Sequence, residues 1–411
     1  MNYLFERERQ RRIHILINTK TYLVHAGWLH DETIGTLVVT QKQDREYPVF
    51  TYFPSWLEKH STLFLDPDLL PTLAPQVPSG NTFHFLEDAS PNLWGKILIH
   101  QLCFTLSFFV QYPSDYLTLS PDVVRTGGIR ISEDNEFITP SSISMPFSSL
   151  KHLQDTAWQL ENRNMHIDDD SFDSLYMASA SLGGSRPKAS VIDEFGNSWI
   201  AKFQSKKDAF SIEQWEMVTH DLALLCGLQA PEAKLLHFEN TYIFLVKRFD
   251  RAKDKRIHFA SAMTFLNGKE GEHNSTFLDL AGTISTYSAN PDKDCQELWR
   301  RMVFGLLVSN TDCHLRNHGF VLKQDGWHLS PMYDVNPNPC KTYFSLPIAP
   351  VNFGRDIITA VKNVAPYFSI VHPKEEMERM QTIIHDNYSL LADEYDISRS
   401  EQEKMAFCFG L

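Results

Sequence analysis

The segment VSNTDCHLRNHGF, from Val308 to Phe320, follows a hydrophobic stretch and gathers several side chains that could do chemistry. Asp312 and Asn317 form the pattern D-x-x-x-x-N, which is the interval between aspartate and asparagine in the catalytic loop of kinases. An aspartate in this position can orient an attacking hydroxyl and accept its proton. An amide oxygen close to it can hold Mg²⁺. The spacing therefore favours phosphoryl transfer, with Asp312 as the catalytic residue.

Two other interpretations of this segment remain open. His314 and His318 are spaced like the histidines of an H-E-x-x-H zinc site, but Leu315 occupies the glutamate position and the sequence signals no third ligand nearby. Alternatively, RRMVFGLLVSN is a core helix and the polar residues that follow are only its exit loop. The pattern of this segment alone does not exclude either interpretation.

A second carboxylate follows where a phosphoryl-transfer site needs one. In GWHLSPMYDVNPNP, Asp334 comes after a predicted strand and before a proline-rich bend, where it could bind Mg²⁺ between the phosphates. Val335 stands where the protein-kinase DFG motif has its glycine. The segment is therefore related to that motif without copying it.

Upstream segments supply the other parts of a nucleotide site in the order that kinases have them. Lys202 in WIAKF fits a strand lysine that pairs with phosphates, and Glu216 on the next predicted helix is preferred over Glu213 as its partner. The loop SLGGSRPK could cover the phosphates, although it is neither G-x-G-x-x-G nor a Walker A loop. FLVKRFD, from Phe244 to Asp250, could offer backbone groups to adenine.

The first half of the chain has the patterns of strands followed by helices. Residues 13–55 predict short antiparallel strands, LDPDLLPTLAPQVPSG predicts irregular structure, and Gly127–Thr139 predicts a second hairpin. SPNLWGKILIHQLCFTLSFF predicts a helix with Ser90 as N-cap and Pro91 at the first helical position. SSLKHLQDTAWQLEN predicts another helix.

The second half begins with a predicted hairpin in which KASVID and SWIAKF flank the turn EFGN. SIEQWEMVTHDLALLCGLQAP then predicts a helix with Gly227 just past its end and Pro231 beyond. TYIFLVKRFDR predicts a strand, and from Asp254 onward the pattern is mostly helical. We therefore predict an α+β, bilobal, protein-kinase-like fold. Its divisions are a β-rich module over 1–110, a nucleotide-binding lobe over 111–250 and a helical lobe over 251–411.

Composition limits the class of protein. The chain has 411 residues, 43% of them apolar, and a net charge of −13, which predicts several domains and disfavours direct binding of nucleic acid. The six cysteines form no C-x-x-C pair, which favours reduced thiols. MNYLFERERQRRIHIL lacks the apolar core of a signal peptide, and ILIHQLCFTLSFFV is too short to span a bilayer. We expect a soluble, cytoplasmic protein without a membrane partner.

These motifs together resemble a HipA-type serine/threonine kinase, the toxin of a bacterial type II toxin–antitoxin module. FTYFPSWL, LDPDLLPTL and SPNLWGKILIHQ are similar to the N-terminal module of that family, and SLGGSRPKASV is similar to its glycine loop. LVKRFDR resembles its hinge, SNTDCHLRNHGFVL its catalytic loop and LSPMYDVNP its metal-binding aspartate. The resemblance is specific because these long motifs are collinear over most of the chain.

The resemblance implies a kinase that uses ATP and Mg²⁺. It makes Asp312 the catalytic base and makes Asn317 and Asp334 the Mg²⁺ ligands. The residues that it places at the nucleotide are Lys202, Ser181, Gly183, Gly184, Lys247, Phe249, Asp250, Glu216 and His314. We interpret His314 and His318 chiefly as scaffold, with a phosphate contact from His318 as the alternative.

The resemblance also implies regulation and partners. Members of the family autophosphorylate a serine of the glycine loop, which silences the kinase. Ser181 occupies the matching position, and Ser179 is a second candidate. A phosphate there would repel the nucleotide or displace the loop. The implied substrate is a translation component such as an aminoacyl-tRNA synthetase. The implied partner is a helix-turn-helix antitoxin, through which alone DNA would be contacted.

Two other functions stay open at this point. A small-molecule phosphotransferase of the aminoglycoside or choline kinase kind shares D-x-H-x-x-N, but the N-terminal module and SLGGS count against it. A catalytically silent co-repressor would be expected to have lost at least one of Asp312, Asn317, Asp334 and Lys202, all of which are present.

Overall fold

The structure is a computed structural model, and it describes residues 17–134, 136–138, 144–162, 167–239, 241–253, 255–269, 271, 274–339, 344–350 and 356–410. The N-terminal segment up to residue 16 lies outside the described residues, as do Asn135 and Thr139 of the second predicted hairpin.

Fifteen strands occur in the described part of the chain. In chain order they are β1 (Ile17–Ala26), β2 (Glu32–Lys42), β3 (Arg45–Tyr52), β4 (Ile129–Glu133), β5 (Glu136–Phe137), β6 (Met145–Pro146), β7 (Lys188–Ile192), β8 (Ser198–Phe203), β9 (Ala233–Phe238), β10 (Thr241–Lys247), β11 (Arg251–Ala252), β12 (Lys255–Arg256), β13 (Phe259–Ser261), β14 (Gly319–Lys323) and β15 (Gly326–Leu329).

The α-helices of the described residues are α1 (Pro54–His60), α2 (His84–Asp88), α3 (Leu93–Thr105), α4 (Pro113–Leu119), α5 (Leu150–Glu161), α6 (Asp169–Ser179), α7 (Ile212–Leu225), α8 (Ala262–Phe265), α9 (Phe277–Tyr287), α10 (Pro291–Leu307), α11 (Ile357–Val364), α12 (Pro373–Glu394) and α13 (Arg399–Met405). None of the helices in these ranges combines the length and the apolar character needed to cross a bilayer.

The chain forms two compact units. The first comprises Met1–Ser205 with Asp250–Ala260, and the second comprises Lys206–Phe249 with Ser261–Leu411. The mixed α+β, kinase-like fold class expected from the sequence is confirmed. The finer division into three modules at residues 110 and 250 stays a prediction.

The first unit is built around an antiparallel sheet of order β3-β2-β1-β4-β5. Buried and less buried positions alternate along β2, as expected for a strand with one face on a core. That core includes Phe50 of β3, Trp56 of α1 and Phe85 of α2, each at most 2% exposed. The same unit contains β6, which runs parallel to β7, and the antiparallel hairpin β7–β8.

The second unit is mostly helical. The antiparallel pair β9–β10 follows its first helix, α7, and the hairpin β14–β15 follows α10. Trp215 of α7 stacks on Tyr388 of α12 with ring centroids 5.9 Å apart, and the Trp299 indole of α10 donates to the carbonyl of Val361 at 3.1 Å. These buried aromatic contacts fix the helices on which the candidate site is built.

Most predicted elements are confirmed, and one helix start is wrong. The turn EFGN joins β7 to β8 with Gly196 at φ +79°, and Gly227 follows α7 at φ +86°, where a side chain would be strained. However, α3 begins at Leu93 and its N-cap is Asn92 rather than Ser90. The Ser90 hydroxyl instead donates to the carbonyl of Leu86 at 2.7 Å, so it belongs to the preceding turn.

Candidate active site

The catalytic loop begins where α10 ends and presents an exposed carboxylate. Asp312 is exposed, and the Ser345 hydroxyl lies 3.5 Å from its Oδ1. The Asn317 side-chain amide donates to the backbone carbonyl of Asp312 at 3.0 Å, which closes the loop between the two residues. Because the nitrogen of that amide is used in the loop, its oxygen is the atom suited to hold a cation. The structure therefore brings together the two residues that their spacing linked.

The buried side chains of Cys313 and His318 support this loop on its side away from solvent. Nε2 of His318 lies 3.0 Å from Sγ of Cys313, and the ring packs edge-on against Phe277 at 5.3 Å. Burial lowers the pKa of His318 to about 3 and raises the pKa of Cys313 to about 12. The pair is therefore neutral at physiological pH, and the thiol is not a nucleophile.

His314 and His318 do not share a helix face. They flank the three-residue 3-10 turn Leu315–Asn317, so the helical spacing assumed in the zinc interpretation does not occur. His314 is half-buried, and its Nδ1 has no hydrogen-bond partner among the described residues. Within those residues no group of three or more histidine, cysteine, aspartate or glutamate side chains could hold a metal ion. A nucleotide-bound Mg²⁺ needs only one or two protein ligands, because phosphates supply others.

Asp334 follows the β14–β15 hairpin in a left-handed conformation at φ +57°. Aspartate tolerates this region better than most residues, but the conformation still costs about 1 kcal/mol. Neighbouring contacts maintain it, because the Tyr333 hydroxyl donates to the carbonyl of Arg316 at 2.7 Å and the Thr219 hydroxyl of α7 donates to the carbonyl of Val335 at 2.7 Å. Asp334 is thus fixed beside the catalytic loop, and its carboxylate is a hard oxygen donor of the kind that Mg²⁺ prefers.

The helix and hinge strand of the second unit supply further predicted residues. Glu213 and Glu216 are both buried on α7, at 1% and 5% exposure. The N–H of Lys247 donates to the carbonyl of Glu232 at 2.8 Å, so a contact of this residue with adenine would have to use its carbonyl. The Phe249 ring packs on Tyr333 with centroids 5.6 Å apart. A pairing of Glu216 with a lysine of the other unit stays a prediction.

The two candidate phosphosites lie in the first unit, at the end of α6. Ser179 is fully buried, and its hydroxyl has no hydrogen-bond partner among the described residues. Ser181 is 1% exposed, and its hydroxyl donates to the carbonyl of Pro121. The next residue, Asp122, forms an ion pair with Arg130 at 2.8 Å, so the acceptor belongs to a firmly held segment. In this conformation neither hydroxyl can reach a phosphoryl donor.

The glycine loop precedes β7, and one of its glycines lies against the amine of Lys188. Gly184 has φ +83°, and a Cβ added there would lie 2.3 Å from Nζ of Lys188. Gly183 lacks such a neighbour, because the nearest atom to an added Cβ is Nδ2 of Asn92 at 3.6 Å. Trp94 of α3 holds the loop, since its backbone N–H donates to the carbonyl of Gly184 and its indole donates to the carbonyl of Lys188, each at 3.1 Å.

Sequence reasoning missed Lys188, which stands directly opposite Lys202 in the β7–β8 pair. Directly opposite residues share a face of the sheet, and both side chains are buried, at 9% and 8% exposure. Two adjacent ammonium groups attract anions, and phosphate oxygens form strong charge-assisted hydrogen bonds with such groups. The signal was present in SRPKASV, because the turn EFGN sets the register that places the two lysines together.

Asp250 has structural contacts within the first unit. Its Oδ2 accepts hydrogen bonds from the N–H of Gly127 at 2.8 Å and from Arg251 at 3.0 Å. The side chain is 5% exposed. These hydrogen bonds attach the segment Asp250–Ala260 to the rest of the first unit. They explain the burial of Asp250 without its predicted role at the nucleotide.

The fold and the two loops define a kinase-like protein. Residues 180–387, just over half of the chain, match the HipA-like C-terminal domain, and the chain belongs to this HipA family.

Individual relatives agree with this assignment. A putative kinase of Haemophilus influenzae is 28% identical over 185 residues, which cover 39% of this chain and 54% of that protein. The serine/threonine-protein kinase toxin HipA of Shewanella oneidensis is 26% identical over 141 residues, or 29% of this chain and 33% of that one. The matched region thus spans about half or less of these relatives. HipA in the solved Shewanella oneidensis complex with HipB and operator DNA has the same fold, with a TM-score of 0.64, 16% identity and 95% of each chain covered.

Proposed function

We propose that the protein is an ATP-dependent serine/threonine protein kinase. The observation that carries the proposal is the catalytic loop, in which the Asp312 carboxylate is exposed while the Asn317 amide closes the loop on the Asp312 carbonyl. Asp334 follows in a fixed left-handed backbone conformation, and its carboxylate is a second oxygen donor. Together these are the residues that in-line phosphoryl transfer to a hydroxyl requires.

In this proposal the Asp312 carboxylate accepts a hydrogen bond from the substrate hydroxyl and aligns it. It takes the hydroxyl proton as the new O–P bond forms and the bond between the γ-phosphorus and the bridging oxygen of ATP breaks, so that ADP leaves. The Asn317 amide oxygen and the Asp334 carboxylate would hold Mg²⁺, which when bound supplies positive charge to the phosphates. The cationic pair Lys188 and Lys202 would offset charge on the phosphates of ATP. Catalysis then consists of positioning and electrostatic stabilisation.

We also propose that the kinase is a cytoplasmic, growth-inhibiting toxin that modifies a translation component such as an aminoacyl-tRNA synthetase. Support for a toxin–antitoxin role comes from the Shewanella oneidensis protein of the same fold, which is described in complex with HipB and operator DNA. The net charge of −13 supports contact with DNA only through a helix-turn-helix antitoxin. Autophosphorylation at Ser181, with Ser179 as the alternative, would silence the kinase.

The two alternatives have less support. A small-molecule phosphotransferase would not need the β-rich sheet of the first unit or a buried serine next to its glycine loop. A silent co-repressor would not need an exposed Asp312 carboxylate held by a braced loop.

The test compares the wild type with Asp312→Asn. We expect the purified wild type to gain phosphate on incubation with Mg-ATP, seen by intact mass and mapped to a peptide. The variant should lose transfer by about 10³-fold or more while it still binds ATP, because the base is removed and the phosphate contacts remain.

The matched control is Asp325→Asn in the turn between β14 and β15, where the carboxyl is 68% exposed and paired with His328. This variant should transfer at the wild-type rate. Full transfer by Asp312→Asn would overturn the proposal. So would a wild type that binds ATP and transfers phosphate to neither itself nor any protein in a lysate.

A further inference from the structure

His220 lies on α7, one turn after Glu216, and is 8% exposed. Both of its ring nitrogens lie within hydrogen-bond distance of an oxygen. Nδ1 is 2.9 Å from a carboxylate oxygen of Asp221, and Nε2 is 2.7 Å from the carbonyl of Pro231. The contact with Asp221 stays within α7, and the contact with Pro231 joins the middle of the helix to the loop that leads into β9.

Both partners of this ring are acceptors. A carboxylate and a carbonyl cannot donate, so a neutral imidazole, which carries one N–H, satisfies only one of them. The doubly protonated ring satisfies both. The second oxygen of Asp221 accepts from the hydroxyl of Tyr395 at the end of α12, which keeps this carboxylate in place as an acceptor.

The groups around the ring favour the cation. Asp221 and Glu216 face it from its own helix, and Tyr395 reaches it through Asp221. From β10 the apolar ring of Phe244 packs against it with centroids 6.4 Å apart. Burial lowers the pKa of His220, but the hydrogen bonds to Asp221 and Pro231 and the two carboxylates outweigh burial and raise the pKa above 6.5. Beside Pro231, the Glu232 carboxylate is paired with Lys247 at 3.2 Å.

The helix that this ring anchors supports the metal-binding loop. Thr219, the neighbour of His220, donates its hydroxyl to the carbonyl of Val335 at 2.7 Å, and Val335 directly follows Asp334. The left-handed conformation of Asp334 depends on such contacts, because it costs about 1 kcal/mol even for aspartate. A shift of α7 at His220 would therefore reach the Asp334 carboxylate through one hydrogen bond.

We propose that His220 is held as an imidazolium whose two N–H groups fix α7, and that it acts as a positioning residue for the Mg²⁺ ligand Asp334. The positioning role rests on the proposed function, whereas the protonation state of the ring does not. Because the pKa is raised in the folded state, the stabilisation is complete below pH 6.5. It is lost as pH rises through the folded-state pKa, since one of the two hydrogen bonds then disappears.

The first measurement is histidine ring ¹⁵N NMR of the full-length protein labelled at histidine, with His220 assigned by its loss in His220→Gln. We expect both nitrogens of His220 to be protonated at pH 6, with loss of one proton as the pH rises above 6.5. The buried His318, whose pKa burial lowers to about 3, is the internal reference and should show one unprotonated nitrogen throughout. A neutral His220 ring at pH 6 would overturn the proposal. Asp221→Asn, which removes the charged acceptor, should shift the titration of His220 to lower pH, and an unchanged titration would argue against the assigned partner.

The second measurement follows the Mg²⁺ dependence of ATP binding by calorimetry at pH 6, where the raised pKa keeps His220 charged. In His220→Gln the Mg²⁺ concentration needed for half-maximal effect should rise about tenfold, the lower end of what removing support behind a metal ligand costs. ATP binding without Mg²⁺ should be unchanged, which a general loss of structure would not give.

Asp221→Asn serves as the milder variant if His220→Gln folds poorly, and it should raise the Mg²⁺ requirement in the same direction. An imidazolium in the wild type together with an unchanged Mg²⁺ requirement in both variants would refute the positioning role. A chain that binds Mg-ATP and never transfers phosphate would instead refute the proposed kinase function and leave both measurements decisive for His220.

Discussion

The catalytic loop of the second unit and the serine segment of the first unit are built in opposite ways. In the predicted catalytic loop the carboxylate of Asp312, the proposed base, is exposed, while the buried residues Cys313 and His318 pack beneath the loop. In the serine segment the hydroxyls of Ser179 and Ser181 are themselves buried. A carboxylate that contacts the substrate in every turnover has to remain exposed. A hydroxyl that is phosphorylated only once can be buried until then. Autophosphorylation of either serine would therefore require its segment to leave the observed position.

Among the variants that test this comparison, Asp334→Gly is expected to change the rate of phosphoryl transfer most. Glycine adopts the left-handed conformation at φ +57° without strain, so the unfolding free energy should rise by up to about 1 kcal/mol. Phosphoryl transfer should nevertheless fall by about 10²-fold or more, because an oxygen ligand is lost. Single-turnover transfer and denaturant unfolding measure the two effects.

Asp396→Gly is the control for this change. Asp396 has φ +58° and follows α12, outside the candidate site. It should gain similar stability with transfer unchanged. If Asp334→Gly and Asp396→Gly lost phosphoryl transfer equally, the loss would come from relief of backbone strain at a positive φ. It would then not come from removal of the Asp334 carboxylate.

Sequence spacing predicted the exposed half of this comparison well. The interval from Asp312 to Asn317 and the hairpin before Asp334 are local, so a single segment carries the information. Burial of Ser181 depends on Pro121, sixty residues away in the chain. The pairing of Lys188 with Lys202 needs the strand register, and the two acceptors of His220 come from a helix neighbour and a separate loop. The contacts with Pro121 and Pro231 have no local pattern from which they could be predicted, whereas the turn EFGN does set the register of the two lysines.

The buried half of the comparison is tested by Ser181→Ala. Loss of the hydrogen bond to the Pro121 carbonyl should cost about 1 kcal/mol of unfolding free energy. If Ser181 is the regulatory site, the wild type loses activity during incubation with Mg-ATP, and the variant keeps its initial rate and inhibits growth more strongly. Peptide mapping of phosphate and transfer rates over time give the result.

Ser179→Ala is the matched control for Ser181→Ala. Its hydroxyl has no partner among the described residues, so its removal should cost little stability. The variant should still silence itself. Self-inactivation that survives in Ser181→Ala and disappears in Ser179→Ala would move the phosphosite to the earlier serine.

The last test concerns the glycine loop of the first unit. Gly184→Ala would place a methyl group 2.3 Å from Nζ of Lys188 at a φ of +83°, so the lysine or the loop must move. We expect a loss of about 1 kcal/mol of stability and about tenfold weaker ATP binding, because one of the two lysines proposed to offset phosphate charge is displaced. Gly183→Ala, with its nearest contact at 3.6 Å, should change neither quantity. Only Gly184 lies against the amine of Lys188. Unchanged ATP binding in Gly184→Ala would therefore show that the position of Lys188 does not depend on the glycine loop. Weaker ATP binding in Gly183→Ala would argue against that dependence in the same way.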